Sequence, residues 1–128
     1  IALSQLKALG VGLTLDDFGT GYSSLGHLHE LSFDTLKIDK CFVDNIGTSQ
    51  SSDAIIMSIV ALGNTLNKKL VAEGVESIEK LRFLTNAGCA LIQGYYFSKP
   101  LMSAEFTQLL SKDCTLPYST SNVAALSR

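Results

Sequence analysis

Apolar and polar positions follow one another along the chain in two periods, which indicates that helices and strands alternate. Leu3, Leu6 and Leu9 recur at helical spacing and Gly10 follows them, so the chain is expected to begin inside a helix that stops at this glycine. The mostly apolar segment 11–15 then runs directly into two acidic residues and predicts the first strand.

The same order of strand, loop and helix then repeats along the chain. Serine residues suited to helix N-caps precede the helical patterns, and Gly88 follows one of them as a stop. Strands that alternate with helices pair in parallel through right-handed crossovers, so the sequence predicts an α/β fold built of four parallel βα units. The predicted strands cover 11–15, 35–39, 69–73 and 90–93, and their helices begin near Ser23, Asp53, Ser77 and Ser103.

The composition narrows the class of protein. A chain of 128 residues, 46% of them hydrophobic, suits one domain. The formal net charge of -2 offers no broad basic field for a nucleic-acid backbone, so no nucleic-acid polymer is expected as a partner. The apolar stretch 54–60 is far shorter than the roughly 20 residues that span a bilayer, so no membrane segment is expected.

The cysteines bear on the compartment. Cys41, Cys89 and Cys114 are odd in number and widely spaced, and no Cys-x-x-Cys pair occurs. This pattern favours neither a disulfide framework nor a zinc site, and each cysteine is interpreted as a small thiol without a chemical role. A reducing, cytoplasmic location is expected.

Charged and polar side chains collect at the ends of the predicted strands. Asp16 and Asp17 end the first strand, Lys37 and Asp39 lie in or at the end of the second, Glu73 and Glu76 follow the third, and Gln93 ends the fourth. The carboxyl ends of parallel strands meet at one edge, so these side chains are expected to converge. Carboxylates suit Mg²⁺ or Mn²⁺, which predicts a divalent-metal site; the alternative is a solvated acidic turn.

The adjacent acids raise a geometric question. Neighbouring side chains on a strand point to opposite faces, so Asp16 and Asp17 share a site only if the backbone has turned into the loop around Gly19 and Gly21. A shared site of this kind can bridge two ions about 4 Å apart for in-line displacement at phosphorus. The two glycines could instead cradle a phosphate, although Ser24 replaces the third glycine of a dinucleotide fingerprint.

The neighbours of Lys37 in the sequence suggest what its ammonium group does. Lys37 stands between Leu36 and Ile38, so its aliphatic stem is expected to be shielded. Its ammonium could then hold an attacking hydroxide or a phosphate oxygen. The alternative is a lysine at a strand end that simply reaches water.

Four segments stand out as motifs: Asp16-Asp17-Phe18-Gly19-Thr20-Gly21-Tyr22-Ser23-Ser24, Lys37-Ile38-Asp39, Ala72-Glu73-Gly74-Val75-Glu76 and Gln93-Gly94-Tyr95-Tyr96-Phe97-Ser98-Lys99-Pro100. They resemble the later motifs of the EAL-domain family of bacterial cyclic-di-GMP phosphodiesterases. The resemblance implies a modified TIM barrel, a fold that takes about 250 residues, and hydrolysis of cyclic-di-GMP to linear pGpG with Mg²⁺ or Mn²⁺ and a metal-activated water. Residues 1–110 then correspond to the C-terminal half of the domain, and 111–128 to a polar, mobile tail.

The resemblance also implies roles at the reacting centre. Asp16 resembles the aspartate that bridges the metals, and Asp17 resembles a ligand of the second metal. Lys37 resembles the lysine that orients the nucleophilic water, and Glu73 resembles the carboxylate beside that metal and lysine. Gln93 resembles a residue that lies behind the nucleophile.

Further roles concern loops and substrate. Glu76 resembles the glutamate that orders the loop after the paired aspartates, and Gly19 and Gly21 permit the turns of that loop. Phe97 and Pro100 are assigned to the border of a guanine, with a place in the core as an equal alternative for Phe97.

The departures from the family pattern limit the expected activity. The 128 residues contain no Glu-Ala-Leu, and the asparagine and glutamate ligands of the next strands belong to the same absent half, so the isolated chain is expected to be inactive. Lys40-Cys41 stands where an arginine and a serine are common, a change expected to be tolerated.

A half barrel exposes strand edges, so the chain is expected to self-associate or to pair with a complementing N-terminal half; an open flavodoxin-like sheet is the alternative. A degenerate cyclic-di-GMP-binding module and a truncated interaction protein remain alternatives to the enzyme.

Overall fold

The protein is represented by a computed structural model that describes residues 2–18 and 32–111. It forms two compact units, Ile1–Tyr96 and Phe97–Arg128, which are treated separately below. The element order in the described residues is α1 (Ala2–Ala8), β1 (Thr14–Phe18), β2 (Thr35–Ile38), α2 (Lys40–Asp44), α3 (Gln50–Thr65), β3 (Lys69–Ala72), α4 (Ile78–Ala87), β4 (Leu91–Ile92) and α5 (Ser103–Ser111).

The four strands form one parallel sheet in the order β1-β2-β3-β4. Leu36 pairs with Leu15 on one side and with Leu70 on the other, and Ala72 pairs with Ile92. Consecutive strands are therefore neighbours and point the same way, which places their carboxyl ends along one edge. The predicted α/β fold with four parallel strands is confirmed, and the helix predicted after the first strand lies outside the described residues.

The two faces of the sheet differ in burial. Leu36, Ile38, Leu70 and Ala72 are buried at every second position of the central strands, as expected when helices cover one face. The intervening side chains, such as that of Lys37, are half-buried and point to the opposite face. This less buried face is the one that presents the charged side chains at the strand ends.

Helix α3 covers the buried face because its apolar positions repeat at helical spacing. Ile56, Ile59 and Val60 are buried. Ser49 caps the helix, because its hydroxyl accepts a hydrogen bond from the backbone N–H of Ser52. A Cβ at Gly63 of this helix would overlap the side chain of Leu70. The absence of a side chain at Gly63 therefore permits the close packing of α3 on β3.

Helix α4 begins and ends where the sequence predicts. The Ser77 hydroxyl accepts from the backbone N–H of Lys80, and Gly88 ends the helix in the left-handed conformation at φ 97. Leu81 and Leu84 are buried on its inner face. The strand–helix units around β3 and α4 are confirmed.

Several predicted boundaries are wrong, and the third and fourth strands, Lys69–Ala72 and Leu91–Ile92, are shorter than the predicted 69–73 and 90–93. The first strand covers 14–18 instead of 11–15, so both acidic residues lie within it. The second strand ends at Ile38 instead of residue 39. Asp39 caps the short helix α2, because its carboxylate accepts a hydrogen bond from the Cys41 N–H. Helix α2 was not predicted, because five residues show too little periodicity. Helix α3 begins at residue 50, earlier than predicted.

The second unit is described over residues 97–111. Its helix α5 begins at Ser103, which occupies the first helical position instead of the predicted cap. At this end of the helix, the carboxylate of Glu105 accepts a hydrogen bond from the backbone N–H of Met102 at 3.0 Å. The predicted helix near Ser23, the glycines at 19 and 21, and the predicted tail lie outside the described residues, except for residue 111.

Of the helices that the structure describes, none combines the length and the apolar character required to cross a membrane. Cys41 is exposed and Cys89 is buried, and both are free thiols. Burial raises the pKa of the Cys89 thiol, which favours its uncharged form. Cys89 is therefore a small buried thiol, and Cys114 lies outside the described residues.

Gly94→Ala is expected to destabilise the fold. A Cβ at this position would overlap the backbone atoms of Val75, which cannot move aside as a flexible side chain can. We expect the free energy of unfolding to fall by about 3 kcal/mol, as for overpacking in a tight interior. Urea titration followed by circular dichroism measures the change.

Gly12→Ala is the matched control, because nothing lies within 4 Å of a Cβ there. Equal urea midpoints for the two variants would contradict the predicted close contact between Gly94 and Val75.

Candidate active site

The paired aspartates occupy an irregularity in β1. Leu15 pairs with Leu36 and Phe18 pairs with Ile38, so β1 contains one residue more than β2 between these pairs. Asp17 adopts φ 51, in the left-handed region where aspartate is among the tolerated residues. The backbone therefore turns at Asp17 itself, within the strand, while the glycine loop named in the sequence prediction lies outside the described residues.

Lys37 connects three neighbouring strands. Its Nζ lies 2.9 Å from Oδ1 and 3.0 Å from Oδ2 of Asp16 in β1. The same Nζ forms an ion pair with Oε1 of Glu73, the residue that follows β3. The side chain of Lys37 is 25% exposed and that of Glu73 is 20% exposed, so their pairing is partly shielded from water. The sequence prediction that these side chains converge is confirmed for Asp16, Lys37 and Glu73.

The ion pairs stabilise the charged forms of their members. The hydrogen bonds to Glu73 and then to Asp16 raise the pKa of Lys37 above its ordinary value. The hydrogen bond from Lys37 lowers the pKa of Asp16. Both groups therefore remain ionised over a wide pH range, and Lys37 is a fixed positive charge between two carboxylates.

Asp17 experiences the opposite field. The negative charge of Asp16, followed by burial and by the charge of Asp39, raises the pKa of Asp17. Asp39 is within hydrogen-bonding reach of Asp17 and has a lowered pKa, chiefly because of its hydrogen bond with Cys41. Asp16, Asp17, Asp39 and Glu73 thus concentrate negative charge at one edge of the sheet.

The loop after β3 and the end of β4 lie side by side. The Gln93 N–H donates to the Ala72 carbonyl at 2.8 Å, and the Val75 N–H donates to the Gln93 carbonyl at 3.1 Å. These bonds fix the backbone of Gln93 next to the Glu73 loop. Gln93 therefore lies at the same edge as the other predicted site residues, with its side chain exposed.

The acidic edge offers donors of the kind that bind divalent cations. Carboxylate oxygens are the donors that Mg²⁺ and Mn²⁺ prefer, and a cation would relieve the repulsion that raises the pKa of Asp17. Across residues 2–18 and 32–111, however, no three His, Cys, Asp or Glu side chains are arranged to hold a metal ion. The donor chemistry fits a divalent cation, while the described ligand set is incomplete.

The remaining predicted residues lie elsewhere. Glu76 is exposed in the loop after β3 and pairs with Lys40, a contact that the sequence analysis did not predict. Phe97 is half-buried and Pro100 is exposed in the second unit. Asp39, predicted at the end of the second strand, lies directly after β2 and close to Asp17.

Comparison with known proteins identifies the fold and the family. A family model described as the EAL domain matches residues 1–100. The cyclic di-GMP phosphodiesterase NbdA of Pseudomonas aeruginosa is 47% identical over 108 residues, which are 84% of this chain and 14% of NbdA. The chain therefore spans a small part of that relative.

Solved structures give the same result. The crystal structure of the EAL domain of Mycobacterium smegmatis DcpA superposes with a TM-score of 0.80 at 41% identity, covering 87% of this chain and 50% of that chain. The PaMucR phosphodiesterase, solved in complex with c-di-GMP, gives a TM-score of 0.77 at 47% identity, covering 81% of this chain and 42% of the other. The chain spans half or less of each of these structures.

A third relative has been solved with divalent ions. BlrP1 of Klebsiella pneumoniae, in its manganese and cy-diGMP complex, has a TM-score of 0.72 at 39% identity, covering 77% of this chain and 25% of that chain. Its calcium and cy-diGMP complex gives 0.71 at 40% identity with the same coverage. From the match over residues 1–100 and these similarities, this chain belongs to the EAL domain family.

Proposed function

We propose that this chain provides catalytic residues for the hydrolysis of one phosphodiester bond of cyclic-di-GMP to linear pGpG. One observation carries the proposal: Lys37 joins Asp16 and Glu73 at the carboxyl ends of three adjacent parallel strands. The loops at this end of parallel α/β folds carry the chemistry. The names of the relatives NbdA and PaMucR, which are phosphodiesterases, support this reaction.

The residues divide the work by charge. The Lys37 ammonium, fixed between its two carboxylates, is positioned to donate a hydrogen bond to an attacking water or to a phosphate oxygen. Glu73 holds Lys37 in place and would be a ligand of the cation, and Gln93, at the same edge, would support the attacking water. In this proposal Lys37, Glu73 and Gln93 are the catalytic set.

We propose that Asp16, Asp17 and Glu73 hold Mg²⁺ or Mn²⁺ together with ligands from the first half of an EAL domain. Such a cation, when bound, lowers the pKa of water and stabilises negative charge on the phosphate. The manganese and calcium complexes of BlrP1 support a divalent ion in this family. Asp16 and Asp17 contribute a concentrated negative charge that favours its binding.

Further residues of the family motifs are proposed to order a loop or to contact the substrate. Glu76 orders the loop after the aspartates, and Gly19 and Gly21 permit the turns of that loop. Phe97 and Pro100 border a guanine of cyclic-di-GMP, where a half-buried phenylalanine ring offers a surface for base stacking.

We propose that residues 1–110 form the second half of an eight-stranded barrel; Ser111, predicted to start the tail, is the last residue of α5. The four parallel strands and the 50% coverage of the DcpA EAL domain support the half barrel. The isolated chain is then inactive, because the described carboxylates form an incomplete metal site. A complementing N-terminal half would restore activity.

The unpaired side of strand β1 supports a second copy of this chain as partner when no N-terminal half is present. Among the described strands β1 pairs with β2 alone, and Leu3, Leu6 and Leu9 of the adjoining segment are exposed. Unpaired strand edges and exposed apolar side chains favour association. Homo-oligomers are therefore proposed, in a cytoplasmic setting that agrees with the free thiol of Cys41.

Hydrolysis of cyclic-di-GMP tests the proposal. The purified chain is assayed with Mn²⁺, alone and after coexpression with the first four βα units of an EAL domain, and pGpG is quantified by chromatography. We expect no turnover by the chain alone and turnover by the complemented pair. The same complement with Asp16→Ala in this chain is the matched control.

Two outcomes would contradict the proposal. Turnover by the chain alone would show that the half barrel suffices. A stable pair that binds Mn²⁺ and cyclic-di-GMP without hydrolysing it would favour a binding module instead. Light scattering of the isolated chain at increasing concentration tests the oligomer, and a monomer throughout would contradict self-association.

A further inference from the structure

The loop that follows β3, residues 73–77, is fixed on one side by its backbone. The Glu73 N–H donates to the Ile38 carbonyl at 3.1 Å, and the Tyr96 N–H donates to the Val75 carbonyl at 3.0 Å. Gly94 packs against the backbone of Val75 so closely that a Cβ would overlap it. The start of the loop is therefore held by the neighbouring strand β2 and by the segment after β4.

The other side of the loop is held by a side chain, that of Lys40. Gly74 has φ 69, and a Cβ placed on it would overlap the aliphatic stem of Lys40. The Nζ of Lys40 continues past the glycine and lies 2.9 Å from Oε1 of Glu76. One side chain of α2 thus contacts both the glycine and the second glutamate of the loop.

Lys40 is itself fixed by a charge network. Its Nζ lies 3.1 Å from Oδ1 of Asp44, one turn later in α2, and the same oxygen lies 2.9 Å from Nζ of Lys80 in α4. Lys40, Asp44, Glu76 and Lys80 therefore link α2, the loop and α4. The charges alternate in sign along this network, so each ammonium group faces a carboxylate.

The exposure of the network indicates what it contributes. The side chains of Lys40, Glu76 and Asp44 are 48%, 49% and 44% exposed. Ion pairs this exposed add little to global stability, because water screens them. Their effect is local: they select one arrangement of a loop whose first residue, Glu73, pairs with Lys37.

We propose that Lys40 is a positioning residue for the hydrolysis: by packing on Gly74 and pairing with Glu76, it fixes residues 73–77 and so directs Glu73 toward Lys37. The catalytic part of this inference rests on the proposed function. The loop part stands on the contacts of Lys40 alone and can be tested without activity.

Lys40→Met tests the ion pair with Glu76 apart from the packing on Gly74, because methionine keeps an unbranched apolar stem and removes the charge. Amide hydrogen exchange of the full 128-residue chain is measured by mass spectrometry. We expect the amides of Glu73 and Val75, which donate to the Ile38 and Gln93 carbonyls, to exchange about fivefold faster, while amides of the buried part of α4, such as that of Leu84, keep their rates. Lys40→Arg retains the charge and is expected to restore slow exchange.

The control is Lys69→Met, the same substitution at an exposed lysine at the start of β3. It is expected to leave exchange in the loop unchanged. Glu76→Gln removes the partner and is expected to match Lys40→Met, and the double variant should exchange no faster than either single variant. Additive acceleration would overturn the proposed pairing.

The complemented domain supplies the catalytic readout. Lys40→Met is expected to lower kcat about fivefold at unchanged KM, and Lys40→Arg to restore it. Loop exchange equal to that of the parent, or acceleration spread equally over the core, would overturn the positioning role. A parent domain without turnover would contradict the proposed function, and the exchange rates would then decide the loop inference by themselves.

Discussion

Lys37→Met is expected to lower kcat for cyclic-di-GMP hydrolysis by about 10²–10³-fold in the complemented domain, the loss typical of removing one preorganised donor from a reacting centre. The ammonium of Lys37 lies between Asp16 and Glu73, and the Lys37 side chain is 25% exposed. In the described part of the sheet edge, no other cation contacts both carboxylates. In the proposed function, its loss would remove the positive charge that faces the substrate phosphate. Steady-state kinetics with Mn²⁺ measure the effect.

Lys69→Met serves as the control, since it removes an equal charge from an exposed position at the opposite end of the neighbouring strand. A kcat for Lys37→Met within threefold of this control would contradict the catalytic role of Lys37. Circular dichroism of both variants checks that the fold is retained.

Asp17→Asn is expected to reduce kcat/KM by at least about 100-fold, because a neutral amide is a poor ligand for a hard cation. Asparagine tolerates the left-handed backbone that Asp17 adopts at φ 51, so the turn should survive. The effect on cation binding can therefore be measured apart from any effect on the turn, because the substitution removes the charge and leaves the backbone requirement unchanged. Kinetics and Mn²⁺ titration calorimetry on the complemented domain measure the loss.

Stability moves in a different direction from activity in this variant. The raised pKa of Asp17 means that the fold disfavours its ionised form, chiefly because of the charge of Asp16. A group of this kind lowers stability as the pH rises through its pKa, so removing its charge should not destabilise the metal-free protein at neutral pH. Glu79→Gln, on the exposed first turn of α4, controls for charge. Unaltered turnover by Asp17→Asn would contradict its assignment as a ligand.

The sequence predicted the convergence of Asp16, Lys37 and Glu73 because a general rule covers it. Alternating strand and helix patterns imply parallel pairing, and parallel pairing brings the ends of neighbouring strands together. The caps at Ser77 and Gly88 were equally accessible, since each acts through its own residue type on the adjacent backbone.

Other features depend on contacts between distant segments, which local patterns do not contain. The pairing of Lys40 with Glu76 joins residues 36 positions apart. The contact of Gly94 with Val75 depends on the register of β3 and β4. The shift of β1 to 14–18 has the same origin, because pairing with β2 overrides the composition of the polar residues that end the strand.

The irregular pairing of β1 also restricts how the length of this segment can vary. Three steps along the chain join Leu15 to Phe18, whereas two steps join their partners in β2, so the strand changes parity between them. Deleting one residue would restore even parity and a regular ladder, but it would also remove one of the two carboxylates. The count of residues here is therefore constrained together with their chemistry, and a one-residue deletion cannot be compensated by substitution at the remaining position.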